Sequence, residues 1–259
     1  MNLIIDFLIQ IIVGVIIFIF GFVSQKIYKI IYFSRPLQKI WGFENKKEEI
    51  CVVTGNIEHG VWKHLMATGD ICAYGEVMSV LRNNYKKELI NSFFSKEFHP
   101  QQLRKYNVIS IGGPKWNWVS RKILEEIGNP FEFDLENRQL VDRRYNPPKK
   151  YDVEIENRNN GVRTDYGIII KTTNPYKNDR NILIFMGYTT YGVLAAVRCL
   201  SEFKEYIMKN KNLKKKFLNS KNYSVVVKTI IIRDEIGEEE VHPEIIEESF
   251  IEFEMEEMR

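Results

Sequence analysis

An unbroken apolar run near the N-terminus constrains this chain more than any other feature. Residues 7–23 consist of Ile, Val, Phe, Leu and Gly with one polar side chain, Gln10. With the apolar residues at 3–5 before it and 27–33 after it, the stretch is long enough as a helix to cross a hydrocarbon core of about 30 Å. A core helix of a soluble domain keeps a solvent face, and this run has none. A cleaved signal peptide carries a positive amino-terminal region and a small-residue cleavage site. Here Asp6 is the only charged residue before the run, and no A-x-A-like pattern follows. The segment reads as a membrane anchor, which makes the lipid bilayer the first expected partner.

The flanks give an orientation. Lys26, Lys29, Arg35, Lys39, Lys46 and Lys47 follow the run, and no Lys or Arg precedes it. The positive-inside rule places the N-terminus outside and the rest of the chain in the cytoplasm. Ile27, Ile30 and Ile31 interleave with Lys26 and Lys29, so the helix is expected to continue as an amphipathic stalk that Pro36 stops near Ser34. Residues 1–35 are thus anchor and stalk, and residues 36–259 form one cytoplasmic domain. Gly14 and Gly21 do not make a G-x-x-x-G spacing, so a homo-oligomer is left open rather than signalled.

Composition bounds the remaining classes. In 259 residues, 44% hydrophobic and 27% charged is ordinary for a folded domain, and a net charge of +3 implies no polyanion partner. With no zinc-finger spacing and no RNP-type aromatic motif, nucleic acid is not an expected partner. Cys51, Cys72 and Cys199 are odd in number and far apart, as in a reducing compartment. The four histidines (His59, His64, His99, His242) are scattered, and no metal or cofactor is expected.

Beyond residue 50, short β-rich runs alternate with amphipathic ones. Strands are expected at 50–54, 89–94, 108–111 and 182–186, and helices at 70–84, 100–105, 117–127 and 193–208. A β-rich middle carries the segments FEFD, QLV, DVEIE and YGIIIK, and the KNKNLKKKF segment reads as a solvated extension of the last helix. The chain is expected to close with a hairpin of 224–232 and 249–253 joined by an acidic loop. Two buried strands each feed a helix through a glycine turn. That pattern predicts an α/β fold built on an open, mostly parallel Rossmann-like sheet with helices on both faces.

Candidate chemistry lies at those turns. Gly112-Gly113-Pro114-Lys115-Trp116-Asn117 joins strand to helix, its glycines allow close backbone approach, and the helix start offers unpaired N–H groups to an anion. Asn117 and Ser120 are positioned to add hydrogen bonds, or Asn117 simply caps the helix. Gly187-Tyr188-Thr189-Thr190-Tyr191-Gly192 repeats the logic, with Thr190 as cap or anion ligand. A third element, residues 69–76, offers Asp70 as a helix cap, or Asp70 and Glu76 as two carboxylates in one cleft, accepting hydrogen bonds from a sugar or acting as a catalytic pair. Asp165 is a further polar residue beside an apolar strand.

The segments NVISIGGPKWN, DYGIIIKTTNPY and ILIFMGYTTYGVLAA resemble, in order and spacing over residues 69–200, a Rossmann-like module of bacterial proteins and archaeal surface-layer proteins. That module carries an IGGP-x-x-N turn, a G-I-I…NP strand and a GY-x-x-x-GT-x-AA turn. The chain departs from it at Val193, where the module has Thr, and in the tryptophans flanking Asn117. The resemblance implies the fold and no particular activity. A surface-layer role would place the domain outside, against the charged flanks, and the flanks decide.

These readings predict a membrane-anchored ligand-binding or signalling module. Its ligand is a small anionic molecule such as a nucleotide, held by Gly112, Gly113, Pro114, Asn117, Ser120, Gly187, Thr190, Gly192, Asp70 and Glu76. A bacterial defence or stress effector has this build by analogy. A nucleotide- or sugar-processing enzyme using Asp70 or Glu76, and an interaction protein with no ligand, are the rival expectations.

Overall fold

The computed structural model describes residues 2–44, 48–59, 62–86, 89–154, 162–233 and 239–254, with backbone alone at 2–9, 58–59, 62–64 and 162. Lys46 and Lys47 of the charged flank, Ile155 and Glu156 of the DVEIE segment and part of the acidic loop lie outside the described residues. The apolar run forms α1 (Asn2–Lys29), the one described helix long and apolar enough to cross a membrane. Every residue from 10 to 32 is exposed, so over its described side chains this helix packs against none of the domain.

Pro36 does not stop the helix. A π-helical stretch, Ile30–Ser34, passes directly into α2 (Arg35–Trp41), whose first turn contains Pro36. A proline costs little there, because its missing N–H falls where the local register has changed. The helix ends instead at Gly42, at φ +82°, whose N–H donates to the Gln38 carbonyl at 2.8 Å. Leu37, Ile40 and Trp41 are buried in the domain core. Trp41 donates to the Leu200 carbonyl at 3.2 Å, and the Tyr223 hydroxyl to the Ile40 carbonyl at 3.0 Å. The exposed apolar helix is therefore continuous with a helix locked into the domain.

The domain then runs through β1 (Ile50–Thr54), β2 (Ile57–His59), β3 (Trp62–Leu65), α3 (Thr68–Asn84), β4 (Ile90–Phe94), α4 (Pro100–Leu103), β5 (Asn107–Ile111) and α5 (Trp118–Ile127). Next come β6 (Phe131–Asp134), β7 (Gln139–Asp142), β8 (Lys149–Asp152), β9 (Val162–Asn174), β10 (Lys177–Gly187) and α6 (Thr190–Ser201). The chain closes with α7 (Phe203–Tyr206), α8 (Lys211–Asn219), β11 (Tyr223–Arg233), β12 (Glu239–Ile245) and β13 (Ile251–Glu252).

The main sheet has the order β12-β11-β9-β10-β5-β1-β4, with β13 beside the start of β11. It is mixed. The strands β10, β5, β1 and β4 are mutually parallel, whereas β9, β11, β12 and β13 pair antiparallel. The parallel expectation holds for the half built from strand-to-helix units and fails for the half built from hairpins, which need no crossover. The closing hairpin also differs: β11 pairs along its length with β12, inside the stretch expected to be a loop, and only its start with β13. Alternation of the sort Glu240, Val241, His242 buries one face of β12 and leaves the other to its charges.

Helices cover both faces of the sheet. One core holds α2, α3, α6 and α8 through Trp41, Val77, Leu81, Ala196, Leu200 and Phe217. The other packs α4, α5 and the small sheet β6-β7-β8 through Phe98, Leu103, Val119, Ile123 and Leu140. The Lys-rich segment is a separate helix, α8, capped by Asn210 and anchored by buried Leu213 and Phe217. Chain order along the parallel strands reverses between β1 and β5, and at such a reversal helices leave on opposite faces and open a crevice at the carboxyl edge.

Candidate functional site

The first glycine turn sits at that edge. Gly112, at φ +105°, ends β5 in a conformation that L side chains rarely adopt. The Gly113 carbonyl then accepts from the Trp116 and Asn117 N–H groups at 3.2 and 3.0 Å. Asn117 caps α5 through Val119 N–H at 3.1 Å, and its amide donates to the Val53 and Ile111 carbonyls at 3.2 and 3.0 Å. Ser120 donates to the Gly112 carbonyl at 2.8 Å and pairs with Ser110 at 2.9 Å. Both side chains are fully buried, so Asn117 and Ser120 hold the turn rather than a ligand.

The second turn is shorter than expected, because α6 begins at Thr190. Its cap is Thr189, not Thr190, and Thr189 Oγ1 accepts from Tyr191 N–H at 3.2 Å. The anion seat at this helix start is already taken. Asp165, on β9, accepts from Thr189 Oγ1 at 2.5 Å, from Gly192 N–H at 2.7 Å and from Tyr166 N–H at 2.7 Å. Burial pushes the Asp165 carboxyl up from its ordinary range, and these hydrogen bonds oppose it. Gly192 lies inside α6 with its carbonyl against Gly167, where a Cβ would collide with it.

The third element separates the two carboxylates. α3 starts at Thr68 after Ala67, so Asp70 is in the first turn and is not the cap. Six residues turn Glu76 about 120° away from Asp70 around the helix. Glu76 accepts from Arg198 Nη2 and Ser201 Oγ, each at 3.0 Å, and ties α3 to α6. Asp70 and Glu76 therefore do not share a cleft.

Asp70 faces a cavity of about 340 Å³. Both glycine turns line it, through Gly113, Pro114, Lys115 and Trp116 on one side and Gly187, Tyr188, Thr189 and Thr190 on the other. Ile57, Leu124, Met186 and Val193 add apolar surface, and β6 with its following turn closes it through Phe131, Glu132, Phe133 and Leu135. The Tyr188 hydroxyl donates to the Leu135 carbonyl at 3.2 Å, and its ring meets Phe133 edge-on, with centroids 6.2 Å apart. At the exposed rim, Lys115 lies over the Trp116 ring at 5.0 Å.

The structure thus brings Gly113, Pro114, Gly187, Thr190 and Asp70 to one cavity, and places Gly112, Asn117, Ser120, Gly192 and Glu76 in the surrounding framework. Sequence reasoning missed the β6 wall, because short strands in a turn-rich stretch carry no sign of what they cover.

The Asp70 carboxylate makes no hydrogen bond among the described residues, and its Oδ1 is sealed from solvent. Burial pushes its carboxyl up to about 6. Glu132, the cavity's other carboxylate, is bonded to Arg143 Nε at 2.6 Å. Asn56, which precedes Ile57, is buried with neither polar side-chain atom bonded among the described residues. Among the described residues no group of three or more His, Cys, Asp or Glu side chains is placed to hold a metal ion. No protein-family model and no curated protein matches the chain.

Proposed function

We propose that this chain is a membrane-anchored ligand-binding module whose cytoplasmic α/β domain takes a small anionic molecule of the nucleotide kind. The observation that carries the reading is the cavity at the carboxyl edge, bounded by both glycine turns and lined by the Asp70 carboxylate, which no described residue hydrogen-bonds. A hydrogen bond donated to a carboxylate contributes about 1.5–3 kcal/mol. Aromatic walls suit a flat ring, and Lys115 at the rim supplies the positive charge for an anionic group. The continuous helix from α1 into α2 supports tethering, and the charge bias after it supports a cytoplasmic domain.

The test is a thermal shift of the full chain in lipid nanodiscs against nucleotides, cyclic dinucleotides and nucleotide sugars. A ligand at 100 times its dissociation constant adds about 2.7 kcal/mol to the native state. A shift that a Gly113→Trp variant of intact fold does not show establishes the site. A flat response across the panel moves the reading to an interaction protein.

One observation favours a second reading, an enzyme. A carboxyl titrating near 6 in an apolar cavity is poised for general acid–base work near neutrality. Turnover of any bound nucleotide, abolished in Asp70→Asn with binding retained, distinguishes it from the first.

A further inference from the structure

The cavity is chemically polar in one direction, and this sets how a ligand lies in it. Among the described residues, its inner part has no cation beside Asp70: burial alone raises that carboxyl, with no charged neighbour acting on it. Neither helix start at the glycine turns is free for a phosphate. Asp165 occupies the start of α6, and Asn117 the start of α5. A phosphate inside would meet the Asp70 carboxylate, and Asp165 already fills the N–H cradle at the α6 start. Positive charge is found at the rim, on Lys115 over the exposed Trp116. Glu132, also exposed, is neutralised by Arg143.

The geometry points to Asp70 as the specificity-determining residue: the ligand enters with a planar, N–H-bearing ring first, donates that N–H to Asp70, and keeps its anionic end outside beside Lys115. The ring class is a nucleobase, held between the walls of Trp116, Tyr188 and Phe133. A ring with an amino or imino N–H at the reading edge satisfies the unbonded carboxylate, whereas one presenting only acceptors repels it. This inference rests on the ligand-binding reading above and adds the orientation and the reading group.

The experiment is titration calorimetry on the full chain in nanodiscs. The probes are the four common nucleosides, their 5′-monophosphates, ribose 5-phosphate, inorganic phosphate and benzofuran as a planar ring with no N–H. At least one nucleoside is expected to bind, and ribose 5-phosphate and inorganic phosphate are not. Asp70→Asn should weaken the nucleoside about 10- to 100-fold, the range of a hydrogen bond to a charged group. Lys115→Ala should narrow the affinity difference between a monophosphate and its nucleoside. Full affinity in Asp70→Asn, or ribose 5-phosphate binding as tightly as a monophosphate, overturns the inference and leaves the pocket reading standing. So does benzofuran bound in wild type, lost in Gly113→Trp, with no nucleoside binding. Silence from every probe, benzofuran included, sinks both.

Discussion

Asp165 and Lys171 stand six residues apart on β9, on the same face of the sheet, and each holds down a helix at an opposite edge. Asp165 takes the N–H groups at the start of α6, beside the cavity. Lys171, almost fully buried, donates from Nζ to the Lys39 carbonyl at 2.9 Å, on the helix that continues into the apolar span. Burial pushes the Lys171 ammonium down to about 8. One strand therefore joins the cavity edge to the helix that runs into the apolar span, through two buried polar side chains.

The Asp165 carboxylate, at the α6 start, accepts from the Gly192 and Tyr166 N–H groups, so removing it takes this acceptor from both. Asp165→Ala is expected to cost about 3 kcal/mol, and Asp165→Asn, which keeps an acceptor, about 1 kcal/mol. Urea unfolding of the full chain in micelles measures both. Hydrogen exchange should accelerate first in α6.

The glycines at the two turns and on β9 are not equivalent. A Cβ at Gly167 or Gly192 falls on the backbone of the facing element, whereas a Cβ at Gly113 meets only the Gly187 carbonyl, at 3.8 Å. Gly167→Ala and Gly192→Ala should each destabilise by about 3 kcal/mol or more, by forcing α6 off β9. Gly113→Ala should stay within about 1 kcal/mol. Comparable melting temperatures for all three would remove the close helix–strand approach from the account.

Much of this arrangement is legible in the sequence because it is local. The apolar run, the β5–turn–α5 unit and the cap at Asn117 follow from residues close in sequence, and each stands within a residue or two of where periodicity puts it. What is not legible depends on distant partners. Thr189 caps rather than Thr190 because Asp165, some two dozen residues earlier, draws in its hydroxyl. Pro36 reads as a helix stop by its own chemistry, but a π-helical stretch shifts the register and packing of Leu37, Ile40 and Trp41 carries the helix on. The sequence leaves open whether Glu76 shares a cleft with Asp70, and Arg198, on α6, claims it.

Membrane orientation is open to a direct test through cysteine. Cys72 is exposed on α3, while Cys51 and Cys199 are buried. Burial pushes the Cys51 thiol up to about 12 and the Cys199 thiol higher still, so neither reacts in the native state. A membrane-impermeant maleimide should label the chain only after cells are permeabilised, and Cys72→Ser should abolish the label. Labelling of sealed cells would place the domain outside.

Stability and site chemistry are linked at Asp70. Its folded carboxyl titrates near 6, well above the ordinary range near 3.8, because burial outweighs the favourable field of the α3 start. The folded state thus holds the proton more tightly than the unfolded one. The resulting stability is complete below about pH 4 and is lost as pH rises through 6, by up to about 3 kcal/mol. Asp70→Asn cannot ionise, so it should be more stable than wild type at pH 8, by several degrees in Tm, and should lose that advantage near pH 4. Asp165 is also raised, with the same sign, so the quantity to follow is the difference between variant and wild type across pH rather than either curve alone. A constant difference from pH 4 to 8 would mean that Asp70 titrates normally in the fold and is not desolvated by the cavity. A difference that opens between pH 4 and 6 would show a carboxylate kept at a cost to stability, as expected of a group whose role is to meet a ligand.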